Sequence, residues 1–238
     1  MSDIIKKFVT LKDGSKLFYA SERSVRNEAK DFVGEIVGIN GPSDLEAGVY
    51  EGGLKVWECS VDLCNFLLTN YSTMTGIDVL ELGCGAALPS IVALRKAANS
   101  ICVQDFNSFV VECFTKKNFE LNGVKSDGEK CTFVGGEWGA DIAGKIGPKK
   151  FNLILTSETI YNEFNYASLH HTMDSLLTDD GKASGSQSPL LWRWRKRFGL
   201  FRIRPLPGDV RFRGRSLEHK NKFHPTQNFV IIAKNGVK

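Results

Sequence analysis

Apolar positions follow two rhythms along this chain, and their succession predicts its architecture. FVTLK and LFYA, short and partly alternating, flank Asp13-Gly14 and read as a β-hairpin. SDLEAGVYEGGLKVWE, rich in glycine and acid, reads as a structured loop. SVDLCNFLLTNY has apolar residues at 61, 63, 66, 67 and 68, a helical spacing. After it the elements alternate. DVLEL, SICVQD, CTFVGG and FNLILTSE are strand-like. PSIVALRKAA is helical, as is SFVVECFTKKNFELNG, capped by Asn107 and closed by Gly123. A further helix spans Tyr166 to Leu177 and ends at a turn, TDDG. Apolar strands alternating with helices predict an α/β fold, a mostly parallel sheet with helices on both faces. Ligands of such sheets bind at the carboxyl ends of the strands.

Those strand ends carry the candidate chemistry. In DVLELGCGAALP a strand breaks into a turn with Gly83 and Gly85 before a helix opens, which lets backbone pass close to a nucleotide-like ligand. The acid Glu81 argues against a phosphate and suits an amine or a positive centre. The ligand indicated is S-adenosylmethionine, not a dinucleotide; an ordinary glycine turn is the alternative. The second strand ends in Gln104-Asp105, where an acid can accept hydrogen bonds from both ribose hydroxyls or simply precede the helix at Asn107. The third ends in Gly135-Gly136-Glu137-Trp138, with the indole either walling an adenine or packed in the core. The fourth runs into Thr156-Ser157-Glu158-Thr159-Ile160-Tyr161-Asn162. Glu158 and Tyr161 fall where a methyl acceptor would reach, or else are a capping acid and a packed tyrosine.

Composition narrows the class. The chain has 238 residues, 42% of them apolar, enough for one domain with a sizeable core and a short extension. MSDIIKKFV shows no signal-peptide pattern and no apolar run reaches 18 residues, so a soluble, intracellular protein without a membrane partner is expected. Six cysteines without a CxxC pair predict reduced, buried thiols, and four histidines make no metal pattern, so no metal site is expected. The net charge of +4 hides an asymmetry. Residues 184–238 hold 13 Lys and Arg against 2 Asp and Glu, a net +11, which leaves −7 for residues 1–183.

GVYEGGLKVWE, VLELGCG, QDFN, GGEW and LILTSETIYN, in this order between Ser43 and Ala183, resemble the seven-strand S-adenosylmethionine-dependent methyltransferases with a Glu-x-x-Tyr signature. That group contains protein-lysine and protein-histidine methyltransferases, and the likeness is greatest to the protein-histidine branch. The resemblance implies a Rossmann-like seven-strand fold and S-adenosylmethionine as cofactor. It implies a histidine of a large-subunit ribosomal protein as substrate, and a place in the cytoplasm and nucleus, including the nucleolus. By the same likeness Val56, Trp57 and Glu58 approach the cofactor from the preceding loop. Glu81, Gly83 and Gly85 hold its amino-acid part. Gln104 and Asp105 hold the ribose, Glu137 and Trp138 lie beside the adenine, and Ser157 closes the pocket. Glu158 and Tyr161 face the substrate as the catalytic pair. Ala87 stands where many such enzymes have a third glycine, tolerable if the turn needs no positive φ there.

The expected organisation is an N-terminal extension with the hairpin (1–45), a methyltransferase domain (46–183) and an atypical basic tail (184–238). The family continues after Gly181-Lys182-Ala183 with an apolar fifth strand and a glycine-rich segment. This chain has SGSQSPLLWRWRKRFGLFRIR, and no such strand is expected. Leu-Trp-Arg-Trp-Arg read one base later allows Phe-Gly-Val-Gly, so residues from about Ser184 read as out of frame; a lineage-specific basic tail is the alternative. The sheet is therefore expected to be incomplete at its C-terminal strands, with the LILTS strand left as an open edge. Aromatics interleaved with arginines in WRWRKRFGLFRIR suit weak RNA binding. The remaining alternatives are a lysine acceptor and a non-catalytic ribosome-associated protein that binds S-adenosylmethionine or RNA.

Overall fold

The computed structural model describes residues 5–28, 45–46, 50–126, 128–159, 163–187 and 228–233. The chain opens with the hairpin β1 (Lys6–Thr10) and β2 (Lys16–Ala20), in which Phe8 faces Phe18. Asp13 closes its turn by accepting hydrogen bonds from the Ser15 N–H (2.9 Å) and hydroxyl (2.6 Å). A short helix that the apolar pattern did not announce, α1 (Glu22–Glu28), follows. The Ser24 N–H donates to Ser21 Oγ at its start, and Arg26 pairs with Glu22 one turn away. Within the glycine-rich loop two-residue strands β3 (Leu45–Glu46) and β4 (Tyr50–Glu51) pair antiparallel.

From α2 (Glu58–Asn70) onward the expected elements are present: β5 (Asp78–Leu82), α3 (Leu88–Arg95), β6 (Ser100–Asp105), α4 (Ser108–Val110), α5 (Lys116–Leu121), β7 (Cys131–Gly135), β8 (Phe151–Ser157) and α7 (Tyr166–Leu176), joined by three that the sequence reading did not announce, α6 (Ala140–Ile146), β9 (Leu177–Gln187) and β10 (Asn228–Ala233). The predicted helix after Asn107 is one helical run interrupted by a π turn, Val111–Thr115, between α4 and α5. Its cap is as read: Asn107 Oδ1 accepts from the Phe109 N–H at 3.0 Å.

The sheet runs β10-β9-β8-β5-β6-β7, with every pair parallel except β10 against β9. β5 sits between β6 and β8, so strand order reverses there and a crevice opens above its carboxyl end. Strand residues supply both faces of a two-sided core. Val79, Ile101, Val103, Leu153 and Leu155 pack into one cluster with residues of α2, α3, α4, α5 and the hairpin. Leu80, Leu82, Cys102 and Ile154 pack into another with Ile142, Leu169, Met173 and Leu176 of α6 and α7. Of the six thiols, Cys64, Cys84 and Cys102 are buried; Cys59, Cys113 and Cys131 are half-buried. No helix among the described residues is long and apolar enough to cross a membrane.

The C-terminal side corrects the sequence reading. β8 is not an open edge: β9 pairs with it, and β10 pairs with β9, giving a six-stranded sheet among the described residues. The predicted TDDG turn survives inside β9 as an irregularity, because Phe151 faces Leu177 while Leu153 faces Lys182. Gly181 lies in that bulge, where a Cβ would stand 2.7 Å from Thr178 Oγ1 and 2.8 Å from the Leu177 side chain. The physical reason is backbone demand: a parallel strand with apolar faces needs a hydrogen-bonding neighbour, and Ala183-Ser184-Gly185-Ser186 can supply N–H and C=O groups without an apolar pattern.

Candidate active site

Above the carboxyl ends of β5, β6, β7 and β8 lies a cavity of about 320 Å³. It gathers nearly all the residues expected to meet a cofactor: Val56 and Trp57 from the loop before α2, Gly83 and Gly85 after β5, Gln104 and Asp105 ending β6, Glu137 and Trp138 after β7, and Ser157 ending β8. Glu158 lines it too. Two expected contacts stand elsewhere. Glu58 is exposed in the first turn of α2, and Glu81 is buried and absent from the cavity wall. Tyr161 lies outside the described residues.

The glycine turn is left-handed at three alternate positions, Gly83 (φ 63°), Gly85 (φ 45°) and Ala87 (φ 53°). The turn therefore does require positive φ at residue 87, and alanine adopts it there under strain. Gly83 has no room for a side chain, since a Cβ would meet Thr159 Cγ2 at 2.6 Å. Thr159 is held in turn: Thr156 donates its hydroxyl to Leu82 O (3.1 Å), so the 2.6 Å contact between the two threonine hydroxyls has Thr159 as donor.

Glu81 serves the turn from below. Its Oε2 accepts from the Ser90 N–H (2.9 Å) and Ser90 Oγ (2.5 Å), capping α3 from a neighbouring strand. Burial pushes its carboxyl up to about 8, against the two Ser90 hydrogen bonds and with the nearby Asp105 charge acting in the same upward direction. Burial likewise raises the Cys84 thiol far above its ordinary range, which leaves it inert although it lies in the cavity wall.

Gln104 and Asp105 assemble three strand ends into one wall. Gln104 is fully buried; its Oε1 accepts from Trp138 Nε1 (2.8 Å) and the Gly83 N–H (3.3 Å), and its Nε2 donates to Gly136 O (2.7 Å). Its side chain thus orients Trp138 and the glycine turn. Asp105 accepts from the Gly85 N–H on Oδ2 (2.9 Å) and from the Asn107 N–H on Oδ1 (3.2 Å). The Asp105 carboxylate is buried at the end of β6 and lines the cavity. Trp138 is half-buried; it lines the cavity and also packs against the second core cluster.

The loop before α2 covers the turn. Gly85 faces Gly53, with a Cβ at Gly85 falling 3.0 Å from Gly53 O, and a Cβ at Gly53 would strike Val110 at 2.8 Å. Trp57 is oriented by donating Nε1 to Gly52 O (3.3 Å), with Lys55 Nζ 4.6 Å from its ring centre. Lys55 is the only cationic side chain in the cavity wall among the described residues. Reading strand ends missed it, as it missed Gly52, Gly53 and Asn165; the glycine pair before Lys55 was the available signal. Across the cavity, Glu158 holds φ at 53°, an unusual conformation for a glutamate, and the Cys59 thiol donates to its Oε1 at 2.7 Å.

Comparison with known proteins places this geometry among relatives. Residues 44–192 match the family described as Lysine methyltransferase. The chain is 39% identical over 165 residues to "Histidine protein methyltransferase 1 homolog" of Bos taurus, covering 59% of this chain and 44% of that one. It is 31% identical over 168 residues to "Histidine protein methyltransferase 1" of Schizosaccharomyces pombe, covering 52% and 48%. The chain thus spans about half the length of the curated relatives it matches. Among solved structures, the 16S rRNA N2 G1207 methyltransferase of T. Thermophilus aligns with a TM-score of 0.55 at 14% identity, covering 98% of this chain and 51% of that one. Ribosomal protein L11 methylase from Lactobacillus delbrueckii subsp. bulgaricus aligns at 0.53 and 19%, covering 77% and 82%. These two likenesses identify the fold.

Proposed function

Because this chain belongs to the family described as Lysine methyltransferase, whose pattern spans more than half its length, we propose that it is an S-adenosylmethionine-dependent protein-histidine methyltransferase. The observation that supports this most is the convergence of four consecutive strand ends on one cavity of this chain, whose relatives at 31–39% identity carry histidine methyltransferase names. The proposed substrate is a histidine of a large-subunit ribosomal protein, which brings with it a cytoplasmic and nuclear location.

The donor set fits the cofactor. Asp105 would accept from the ribose hydroxyls, Trp138 and Glu137 would lie beside the adenine, and Lys55 would oppose the methionine carboxylate. When bound, S-adenosylmethionine supplies an electrophilic methyl group on a positively charged sulfur, which leaves as a neutral thioether. The protein's part is geometric: it holds acceptor nitrogen, carbon and sulfur in line and excludes other orientations, worth up to about 7–11 kcal/mol. A histidine with a reference pKa of about 6.5 is mostly neutral at pH 7, so it needs an orienting partner more than a base. Glu158 accepts the N–H of the far imidazole nitrogen, Tyr161 frames the ring, and Ser157 closes the pocket. Replacing Glu158→Gln is expected to lower kcat about 10–100-fold, the value of one charge-assisted hydrogen bond, with S-adenosylmethionine affinity by calorimetric titration within about twofold; collapse of that affinity would move Glu158 from substrate to cofactor.

A lysine acceptor is the second reading. It is supported by the family description and by a 27% identical relative, "Protein N-terminal and lysine N-methyltransferase EFM7" of Cryptococcus neoformans. Labelled S-adenosylmethionine with ribosomal proteins, followed by mapping of the modified residue, separates the two. The basic tail, net +11, adds weak and salt-sensitive RNA binding. Sequencing the transcript across codons 180–200 tests the displaced frame after Ser184, which an uninterrupted match to the present protein refutes.

A further inference from the structure

The hairpin carries chemistry that the cavity does not use. Its two faces differ, although Lys7 on the inner face is exposed and Ala20 on the outer face is buried. Leu17 is buried and Val9 and Tyr19 are half-buried against the core, while Lys6, Phe8, Thr10 and Lys16 are exposed and Phe18 lies half-exposed among them. Phe8 is 51% exposed, one of few large apolar side chains left so open among the described residues. It stands opposite Phe18 in the strand register, with the rings edge to face at 6.1 Å. Lys16 Nζ lies 4.3 Å from the Phe8 ring centre and Lys6 Nζ 5.4 Å from that of Phe18. Two rings and two ammonium groups therefore form one small surface.

This surface is held rigidly from behind. Asn122 brackets Phe18, accepting from its N–H on Oδ1 (3.1 Å) and donating Nδ2 to its carbonyl (2.7 Å). Asn118 accepts from the Ala20 N–H at 2.9 Å and donates to Ala86 O at 3.2 Å. The outer edge of β2 is thus satisfied by the side chains of Asn118 in α5 and of Asn122 just after it, and cannot recruit another strand. An extended peptide adding to this edge is thereby excluded, and what remains available is the side-chain face.

The charge of that face is of one sign. Neither strand contains an acid, and the turn's only acid, Asp13, has its carboxylate bonded to Ser15. An exposed aromatic platform flanked by cations complements a base stacked on a ring with phosphates on either side. It does not complement a lipid surface, which needs a continuous apolar area, and it gives an acidic peptide no use for the open ring. We infer that the outer face of the hairpin, centred on Phe8, Phe18, Lys6 and Lys16, is a binding surface for single-stranded RNA, formed by residues that do not line the cavity.

The test uses the full chain and a labelled oligoribonucleotide of about 12 nucleotides, single-stranded or annealed to its complement, with affinity read by fluorescence anisotropy over a range of salt. Phe8→Leu keeps the apolar volume and removes the ring; it is expected to weaken single-strand binding about tenfold, leave duplex binding within about twofold, and leave the salt slope unchanged. Phe8→Tyr, which restores a ring, is expected to restore affinity. Lys6→Gln with Lys16→Gln is expected to reduce the salt slope by about one to two. The inference is overturned if Phe8→Leu binds the single strand as the unaltered chain does, if it loses duplex affinity equally, or if a polyglutamate peptide loses affinity by the same factor. Thermal unfolding of each variant, together with the leucine–tyrosine pair, separates lost stacking from a displaced hairpin.

Discussion

Ala87 and Glu81 show how a single position can carry more than its residue type suggests. Ala87 is buried and left-handed, following two glycines, Gly83 and Gly85, that adopt the same hand freely. Replacing it with glycine relieves about 1–2 kcal/mol of backbone strain, removes a buried methyl worth about 0.8 kcal/mol, and frees the unfolded chain by about 0.4–1 kcal/mol. Ala87→Gly is thus expected to change unfolding free energy by no more than about 1 kcal/mol in denaturant titration. Gly85→Ala is expected to destabilise clearly, since its Cβ would crowd Gly53 O at 3.0 Å. Glu81 links the fold to pH. Its carboxyl, normally 4.5, is raised to about 8 by burial, so the folded protein keeps a proton that the unfolded chain has released. Its contribution is fully present below about 4.5 and is lost as pH rises through about 8. Glu81→Gln, which stays neutral, is expected to flatten that decline. The difference between variant and unaltered protein should grow by a few kcal/mol, as order of magnitude, between the ends of the window; parallel curves would show that Glu81 is ionised when buried.

The interrupted helix after Asn107 ties the glycine turn to the core. At the π turn Thr115 donates its hydroxyl to Gly85 O (2.7 Å) and also lies 3.2 Å from Val110 O, the carbonyl five residues back. The extra residue in the turn presents Thr115 where a regular helix would not. Thr115→Val keeps the shape and removes the donor, so it is expected to cost about 1–2 kcal/mol of stability and to weaken S-adenosylmethionine binding through the displaced turn, both measurable in one calorimetric series. Gln104 plays a matching part at the end of β6. Gln104→Leu leaves Trp138 Nε1 and Gly136 O without their partner. It is expected to shift tryptophan fluorescence and lower cofactor affinity about tenfold; unchanged fluorescence would contradict the positioning role.

Across the whole chain, the C-terminal strands decide whether the sheet holds. β9 covers the edge of β8, and β10 covers β9. Ending the chain after Leu176 exposes the backbone of β8 with its fully buried Ile154 and Leu155, and aggregation by light scattering is expected. Ending it after Gln187 retains β9, and a soluble protein of reduced melting temperature is expected. If both truncations aggregate alike, β9 alone does not protect the edge.

Strand identities from Asp78 to Ser157, and the helices from α2 to α7 other than α6, were legible because a parallel sheet buried on both faces needs uninterrupted apolar runs, and DVLEL and SICVQD match β5 and β6 end to end. The meeting of Gly83, Asp105, Trp138 and Ser157 was legible for the same reason, since parallel strands bring their carboxyl ends to one side whatever their order. Three things depended on contacts between residues distant in sequence. Glu81 turns to Ser90 and away from the cavity because Ser90 offers two donors on the adjoining helix. Lys55 enters the wall because Gly53 lets its loop lie on the turn. Ala183 to Gln187 becomes a strand because β8 requires a partner, although its own residues show no strand pattern. Periodicity records which face of an element is buried; it carries no record of which neighbour completes a hydrogen bond, and in this molecule those neighbours set the roles of Glu81, Lys55 and β9.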